Sequence, residues 1–286
     1  MSSTARSGRV SVGGLGAPVL ETGPGGATEA VLCLHGNPGS SEDWRALLGR
    51  TGSFARSIAL DLPGYGGADK PESFEASLAT YGEWLSSALD ELGVRAVHLV
   101  LHDFGGGAGF ALAVRRPETI RSLTLVNAGP LPGYSWHRTA RMWRTPVLGE
   151  LLMAITTPGV LSRAIRHENP GVPKADADRV ARGFDRASKR NALRLYRATD
   201  PDTAVDWDRL RELSPPTLVV FGARDPYMDA SHAQRLPQTL MPARVQILPG
   251  SGHWPIFDDP AGVAALVVPF LREQVEGPPG ATPPAG

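Results

Sequence analysis

The stretch Val97-His98-Leu99-Val100-Leu101-His102-Asp103-Phe104-Gly105-Gly106 limits the folds open to this chain more than any other. Residues 96–101 are apolar apart from His98 and read as a buried strand. The glycines that follow permit a sharp turn into a helix over residues 108–116. A strand, a tight turn and a helix, with a reactive side chain at the turn, make a nucleophile elbow. The side chain at this turn is Asp103. A carboxylate has an ordinary pKa of about 3.9 and is already ionised at neutral pH. It attacks a tetrahedral carbon without a base, displaces an oxygen or a halide, and is left as an alkyl ester.

The segments around the elbow repeat one pattern. Residues 10–20 suit a strand hairpin around Gly13-Gly14. Apolar runs at 30–34, 57–61, 96–101 and 122–127 alternate with helical stretches near 43–48, 78–92 and 108–116. Short apolar runs between helices predict a parallel sheet covered on both faces. The pattern breaks after Gly129-Pro130 and returns with strands at 217–221 and 244–248 and a helix at 261–273. The stretch between, residues 131–205, has no strong strand run and reads as a helical lid over the carboxyl edge of the sheet. The expected division is a core of residues 9–130 and 206–275, a lid of 131–205, and disordered ends at 1–8 and 276–286.

Composition narrows the functions. The 286 residues are 42% apolar and 20% charged with a net charge of +0, so no global field favours nucleic acid or a membrane surface. Cys33 is the single cysteine, which rules out an intrachain disulfide. The polar start lacks a signal-like apolar run, and no run approaches the roughly 20 residues that span a bilayer. A soluble cytoplasmic protein is expected, with no nucleic-acid or membrane partner. Residues 131–205 nevertheless carry 13 Lys+Arg against 7 Asp+Glu. Arg179, Arg182, Arg186, Arg190, Arg194 and Arg197 recur at spacings of three and four, which suits a solvated helix face turned away from any pocket.

Two further residues complete a pattern with Asp103. Asp225 follows the strand at 217–221 in Gly222-Ala223-Arg224-Asp225-Pro226. His253 follows the strand at 244–248 in Gly250-Ser251-Gly252-His253-Trp254. On these residues, in this order, the chain resembles the aspartate-nucleophile branch of the α/β-hydrolase fold, which holds epoxide hydrolases and haloalkane dehalogenases. The resemblance covers roughly residues 31–274. It implies a mostly parallel eight-stranded sheet with helices on both faces and a helical lid inserted after the sixth strand. It implies that His253 activates water against the ester on Asp103 while Asp225 orients the imidazole. In His35-Gly36-Asn37-Pro38, the Asn37 N–H would form the oxyanion hole with the Phe104 N–H. His35 and the loop Asp61-Leu62-Pro63-Gly64-Tyr65-Gly66 read as structural. No metal or organic cofactor is implied, because three side chains and water complete the cycle.

The leaving group divides the branch. Dehalogenases of this kind generally place a tryptophan directly after the nucleophile, often beside an Asn. Asn37 and Leu101 match that pattern, but Phe104 has no N–H on its ring. Trp136 or Trp143 can offer one from the lid. Epoxide hydrolases protonate the opened oxygen with lid tyrosines. The segment Asn191-Ala192-Leu193-Arg194-Leu195-Tyr196-Arg197 resembles the second of these, which makes Tyr196 the candidate acid. The first has no match, since Leu151-Leu152-Met153-Ala154 stands in its place; Tyr134 or His137 can substitute. The residues expected around a small, apolar substrate are Tyr134, Trp136, His137, Trp143, Met153 and Tyr196. Epoxide opening to a diol is the leading expectation, haloalkane dehalogenation the alternative, and a ligand-binding protein without turnover the second alternative.

Overall fold

A computed structural model describes residues 4–239 and 243–277. Eight strands form one sheet: β1 (Arg6–Val12), β2 (Leu15–Thr22), β3 (Glu29–Leu34), β4 (Arg56–Leu60), β5 (Ala96–Asp103), β6 (Ile120–Ala128), β7 (Thr217–Gly222) and β8 (Arg244–Leu248). Their spatial order is β1-β2-β4-β3-β5-β6-β7-β8. β2 pairs antiparallel with β1 and β4, and every other pairing is parallel.

The helices are α1 (Arg45–Thr51), α2 (Leu78–Glu91), α3 (Phe104–Arg115), α4 (Arg138–Arg144), α5 (Leu148–Ile155), α6 (Pro158–Glu168), α7 (Lys174–Gly183), α8 (Arg186–Ala198), α9 (Trp207–Leu213), α10 (Ala230–Thr239), α11 (Pro255–Asp258) and α12 (Pro260–Glu276). Strand residues alternate between two apolar layers, as the period of two requires. Leu32, Leu34, Leu99 and Leu101 pack with Leu85 and Phe110 of α2 and α3. Val31, Cys33 and Val100 pack on the other face with Leu48, Val263 and Val267 of α1 and α12. No helix among the described residues is long and apolar enough to cross a membrane.

Three expectations need correction. Arg6, Ser7 and Gly8 are not disordered but belong to β1, where pairing with Glu21, Leu20 and Val19 overrides a polar local composition. Glu276 ends α12 instead of starting a tail, and residues 278–286 lie outside the described residues. The glycines after Asp103 are not a turn: α3 begins at Phe104 and contains all three. Their purpose is close approach. A Cβ on Gly105 would stand 2.5 Å from the Leu34 carbonyl oxygen and 2.6 Å from that of His35.

Helices α4–α8 lie between β6 and β7 and are fastened by ion pairs to the segments that follow β3 and β4. Arg179 binds Asp43 at 2.6 Å, Asp185 binds Lys70 at 2.8 Å, and Arg190 meets Glu72 at 3.4 Å. Part of the arginine row therefore joins two layers, and none of its six members lines the cavity below α4–α8.

Candidate active site

Asp103 closes β5 with φ 46° and ψ −127°, outside the conformations a side chain favours. Three neighbours hold it there. Its carbonyl accepts from the Gly129 N–H at 3.0 Å. Its Oδ2 accepts from the Asn37 N–H at 2.7 Å. Gly36 leaves the space its side chain fills, since a Cβ there would sit 2.4 Å from the Asp103 Cβ. His35, fully buried, props the same loop by accepting the Leu62 N–H at 2.9 Å through Nε2. Asp61 accepts from the Ser41 and Gly67 N–H groups at 2.7 and 2.6 Å, so both motifs are structural supports.

Asp225 follows β7, and its carboxylate is fully committed. Oδ1 accepts from the N–H groups of Tyr227 at 2.7 Å and Met228 at 3.0 Å. Oδ2 accepts from His253 Nδ1 at 2.8 Å and Asn127 Nδ2 at 2.7 Å. Asn127 is the penultimate residue of β6, at φ 42°, and its Oδ1 accepts from the Gly222 N–H at 2.9 Å. It therefore locks Asp225 to the adjacent strand end. The sequence signal for it was a polar residue closing an apolar strand run at this same edge.

His253 Nδ1 donates to Asp225, which leaves the Nε2 lone pair 3.9 Å from Asp103 Oδ1. That is too far for a direct hydrogen bond and suits a base that acts on water. The backbone around it is pinned: its N–H donates to Asn169 Oδ1 at 2.8 Å, and its carbonyl accepts from His102 Nε2 at 2.8 Å. The rings of Tyr227 and Trp254 meet the imidazole edge-on at 4.9 and 4.7 Å.

Electrostatics separates the two carboxylates. Burial raises the pKa of Asp103, opposed by His253 and by the N–H groups of Asn37 and Phe104. Burial would also raise that of Asp225, but His253, Asn127 and the Tyr227 N–H overcome it and leave it below the usual range. For His253, burial favours the neutral ring, but Asp225 and then Asp103 outweigh it and raise the pKa. His102 is driven down to about 3 by burial and by His253, so it stays neutral and structural.

A cavity of about 240 Å³ opens above these groups, between the sheet edge and α4–α8. Asn37, Asp103, Phe104 and His253 line its floor, and Tyr134, Trp136, His137, Trp143 and Tyr196 line its walls. Met153 does not: it is buried in the apolar core, and Leu152 takes its place on the wall. One residue along a helix turns a side chain by roughly 100°, so the expected contact fell to the neighbour.

Tyr196 packs edge-on against Phe104 at 4.8 Å and Trp143 at 5.2 Å. Burial, Asp103 and Tyr134 push its pKa well up, with the Asn37 side chain opposing, so the phenol keeps its proton. Trp136 stacks on Phe104 at 6.1 Å with rings 17° from parallel. Tyr134 has spent its hydroxyl, which donates to the Tyr227 carbonyl at 3.0 Å. His137 caps α4 by accepting the Ala140 N–H, and burial takes its pKa down to about 4. Tyr227 also lines the cavity and donates its hydroxyl to Glu168. It lay two residues beyond Asp225, in a loop that reads as a plain turn.

A haloalkane dehalogenase from Mesorhizobium japonicum is 33% identical over 186 residues, which span 64% of this chain and 55% of that protein. Epoxide hydrolase 3 of Xenopus tropicalis is 26% identical over 266 residues, spanning 85% of this chain and 71% of its own. The crystal structure of haloalkane dehalogenase DbeA from Bradyrhizobium elkani superposes with a TM-score of 0.82 at 25% identity, covering 96% of this chain and 100% of that one. The model of the alpha/beta hydrolase family matches residues 31–266, so the chain belongs to that family, as a relative of its haloalkane dehalogenases and epoxide hydrolases.

Proposed function

We propose that this hydrolase opens small apolar epoxides to diols through an ester on Asp103. The observation that carries the reading is the buried Tyr196 phenol in the cavity wall, packed on Phe104 beside the Asn37 amide and influenced by Asp103. An opening epoxide produces an alkoxide, which leaves only if it is protonated, and a neutral phenol supplies that proton.

Asp103 Oδ1 forms the new bond to an epoxide carbon, the carbon–oxygen bond of the ring breaks, and the released oxygen takes the Tyr196 proton. Oδ2 stays with the Asn37 N–H. His253 Nε2 then takes a proton from water, whose oxygen adds to the ester carbonyl carbon. The negative charge falls on the carbonyl oxygen, toward the Asn37 and Phe104 N–H groups; one such donor is typically worth about 2.7–4 kcal/mol. On collapse the bond between the carboxyl carbon and Oδ1 breaks, and Oδ1 leaves with the product carrying the proton of the added hydroxyl, so the diol departs and the carboxylate is restored; the His253 proton returns to the Tyr196 phenolate through solvent.

A second reading has its own observation. Among the described residues, Asn37 Nδ2 and Trp136 Nε1 are buried N–H donors without a hydrogen-bond partner, and both residues line the cavity. Such donors suit a departing halide, with Trp136 supplying what Phe104 lacks. The test is a side-by-side panel of epoxides and bromoalkanes, with diol and bromide measured and a single turnover run in heavy-oxygen water. Diol formation with the first label on Asp103 supports the proposal. Bromide release alone transfers the case to the second reading. Label that appears in product before protein removes the ester from both.

A further inference from the structure

Every large apolar side chain left exposed among the described residues falls between positions 147 and 160: Val147, Leu148, Leu151, Ile155 and Val160. Val147, Leu151 and Ile155 recur every fourth residue and form one outward stripe along α5. The inward side of the same helix is apolar too, with Leu152 on the cavity wall and Met153 in the core. A helix apolar on all sides is normally covered on all sides. Its one charge, Glu150, is matched by a two-pronged contact with Arg197 at 2.6 and 2.9 Å. At the head of the stripe the backbone is strained. Val147 takes φ 68° and ψ −51° in a three-residue turn closed by the Leu148 N–H on the Pro146 carbonyl at 2.8 Å. A β-branched residue in that region is a steric outlier, and the strain coincides with an isopropyl group displayed to solvent.

Charge says what covers the stripe. Arg138 and Arg141 precede it, Arg163 and Arg166 follow it, and all four are exposed with no ion pair among the described residues. Arg163 lies one turn beyond Val160 on α6 and so shares its side. An apolar ridge between free arginines matches an anionic lipid surface, with apolar groups entering the acyl boundary and guanidinium groups meeting phosphates. A second copy fits less well, because a two-fold pairing of the ridge would bring arginines against arginines. The zero net charge of the chain does not oppose this, since residues 131–205 hold 13 Lys+Arg against 7 Asp+Glu.

We infer that the α5–α6 ridge docks on anionic lipid surfaces. Val160 belongs both to the ridge and to the cavity lining, so docking brings the cavity mouth to the lipid. Binding needs no turnover, and the test stands apart from the reaction proposed above. The probe is flotation of the full chain with vesicles of phosphatidylcholine, with and without phosphatidylglycerol. The expected result is capture by the anionic vesicles, weakened by salt. Two variants must each lower it by about tenfold or more while keeping the melting temperature: Arg163→Glu with Arg166→Glu, and Val147→Ser with Leu151→Ser and Ile155→Ser. Neither set touches the cavity lining. Absence of capture, capture indifferent to both sets, or a concentration-dependent dimer abolished by the serine set would each overturn the inference.

Discussion

Asp103 and Val147 are both non-glycine residues at positive φ, at 46° and 68°, and they are held in opposite ways. Such positions cost of order 1–3 kcal/mol and persist only where the surroundings enforce them. Around Asp103 the enforcement comes from two segments distant in sequence: the Gly129 N–H after β6, and the loop after β3, which supplies the Asn37 N–H and the space vacated by Gly36. Around Val147 it comes from one tight turn and the start of α5, with the side chain 69% exposed. Strain at the sheet edge is surrounded and fixes where a carboxylate points. Strain above the cavity is open on one side and fixes what the surface displays. The sheet edge should therefore respond to substitution in rate and the insertion in stability or selectivity.

The largest effect belongs to the sheet edge. His253→Gln should lower turnover by at least about 10⁴-fold and trap the ester, because attack by Asp103 does not need the imidazole while hydrolysis does. Intact-mass measurement should then show a chain heavier by one substrate. Normal turnover, or inactive protein of unchanged mass after exposure to a good substrate, contradicts the division of labour.

Asp225→Asn comes next, at about 10⁴-fold in turnover. It also tests the sign of the His253 shift. Only the neutral imidazole accepts a proton from water, and Asp225 and Asp103 raise its pKa above the ordinary value of 6.5. Asp103 is uncharged in the ester, so at the hydrolysis step it is chiefly Asp225 that holds the imidazole pKa up against burial, and activity should climb with pH as His253 loses its proton. Without the Asp225 charge, burial regains weight and the rising limb should move to lower pH. A limb that stays in place assigns it to another group.

These two groups were readable because each stands where an apolar run ends. The runs at 96–101, 217–221 and 244–248 match β5, β7 and β8 closely, and polar residues just beyond a parallel strand gather at one edge. What sequence left hidden was side-chain reach across strands and direction on helices. Asn127 bridges β6 to Asp225, and Asn169 takes the His253 N–H from the end of α6; a polar end to an apolar run marks Asn127 but not its partner, and Asn169 has no local signature at all. Met153 and Leu152 exchange roles through one helical step. The glycines after Asp103 read as a turn and are instead points of close packing in α3: Gly105 meets the loop after β3, Gly106 the end of β6 and Gly107 the Leu78 side chain of α2. The strand at Arg6–Gly8 was invisible because its partner, β2, supplies the reason for it.

Tyr196→Phe moves the comparison to the insertion and to a smaller change. Epoxide turnover should fall by about 10²-fold, since a positioned general acid is commonly worth that much or more. Bromide release should be unaffected, because a halide leaves without a proton. An equal loss on both substrates would make Tyr196 a packing residue between Phe104 and Trp143.

The smallest effect sharpens the contrast most. In Val147→Gly the steric penalty of positive φ, of order 1–3 kcal/mol, disappears. The greater freedom of glycine in the unfolded chain costs about 0.5–1 kcal/mol in return. Little burial is lost from a side chain that is 69% exposed. The net is a gain of about 1 kcal/mol, or about 2–4 °C in melting temperature for a chain of this size. Val147→Ala keeps a Cβ and most of the clash, so it should melt close to the native protein. A glycine variant that melts lower than the alanine variant would mean that the turn is held by packing, as Asp103 is, and the distinction between the two strained residues would fail.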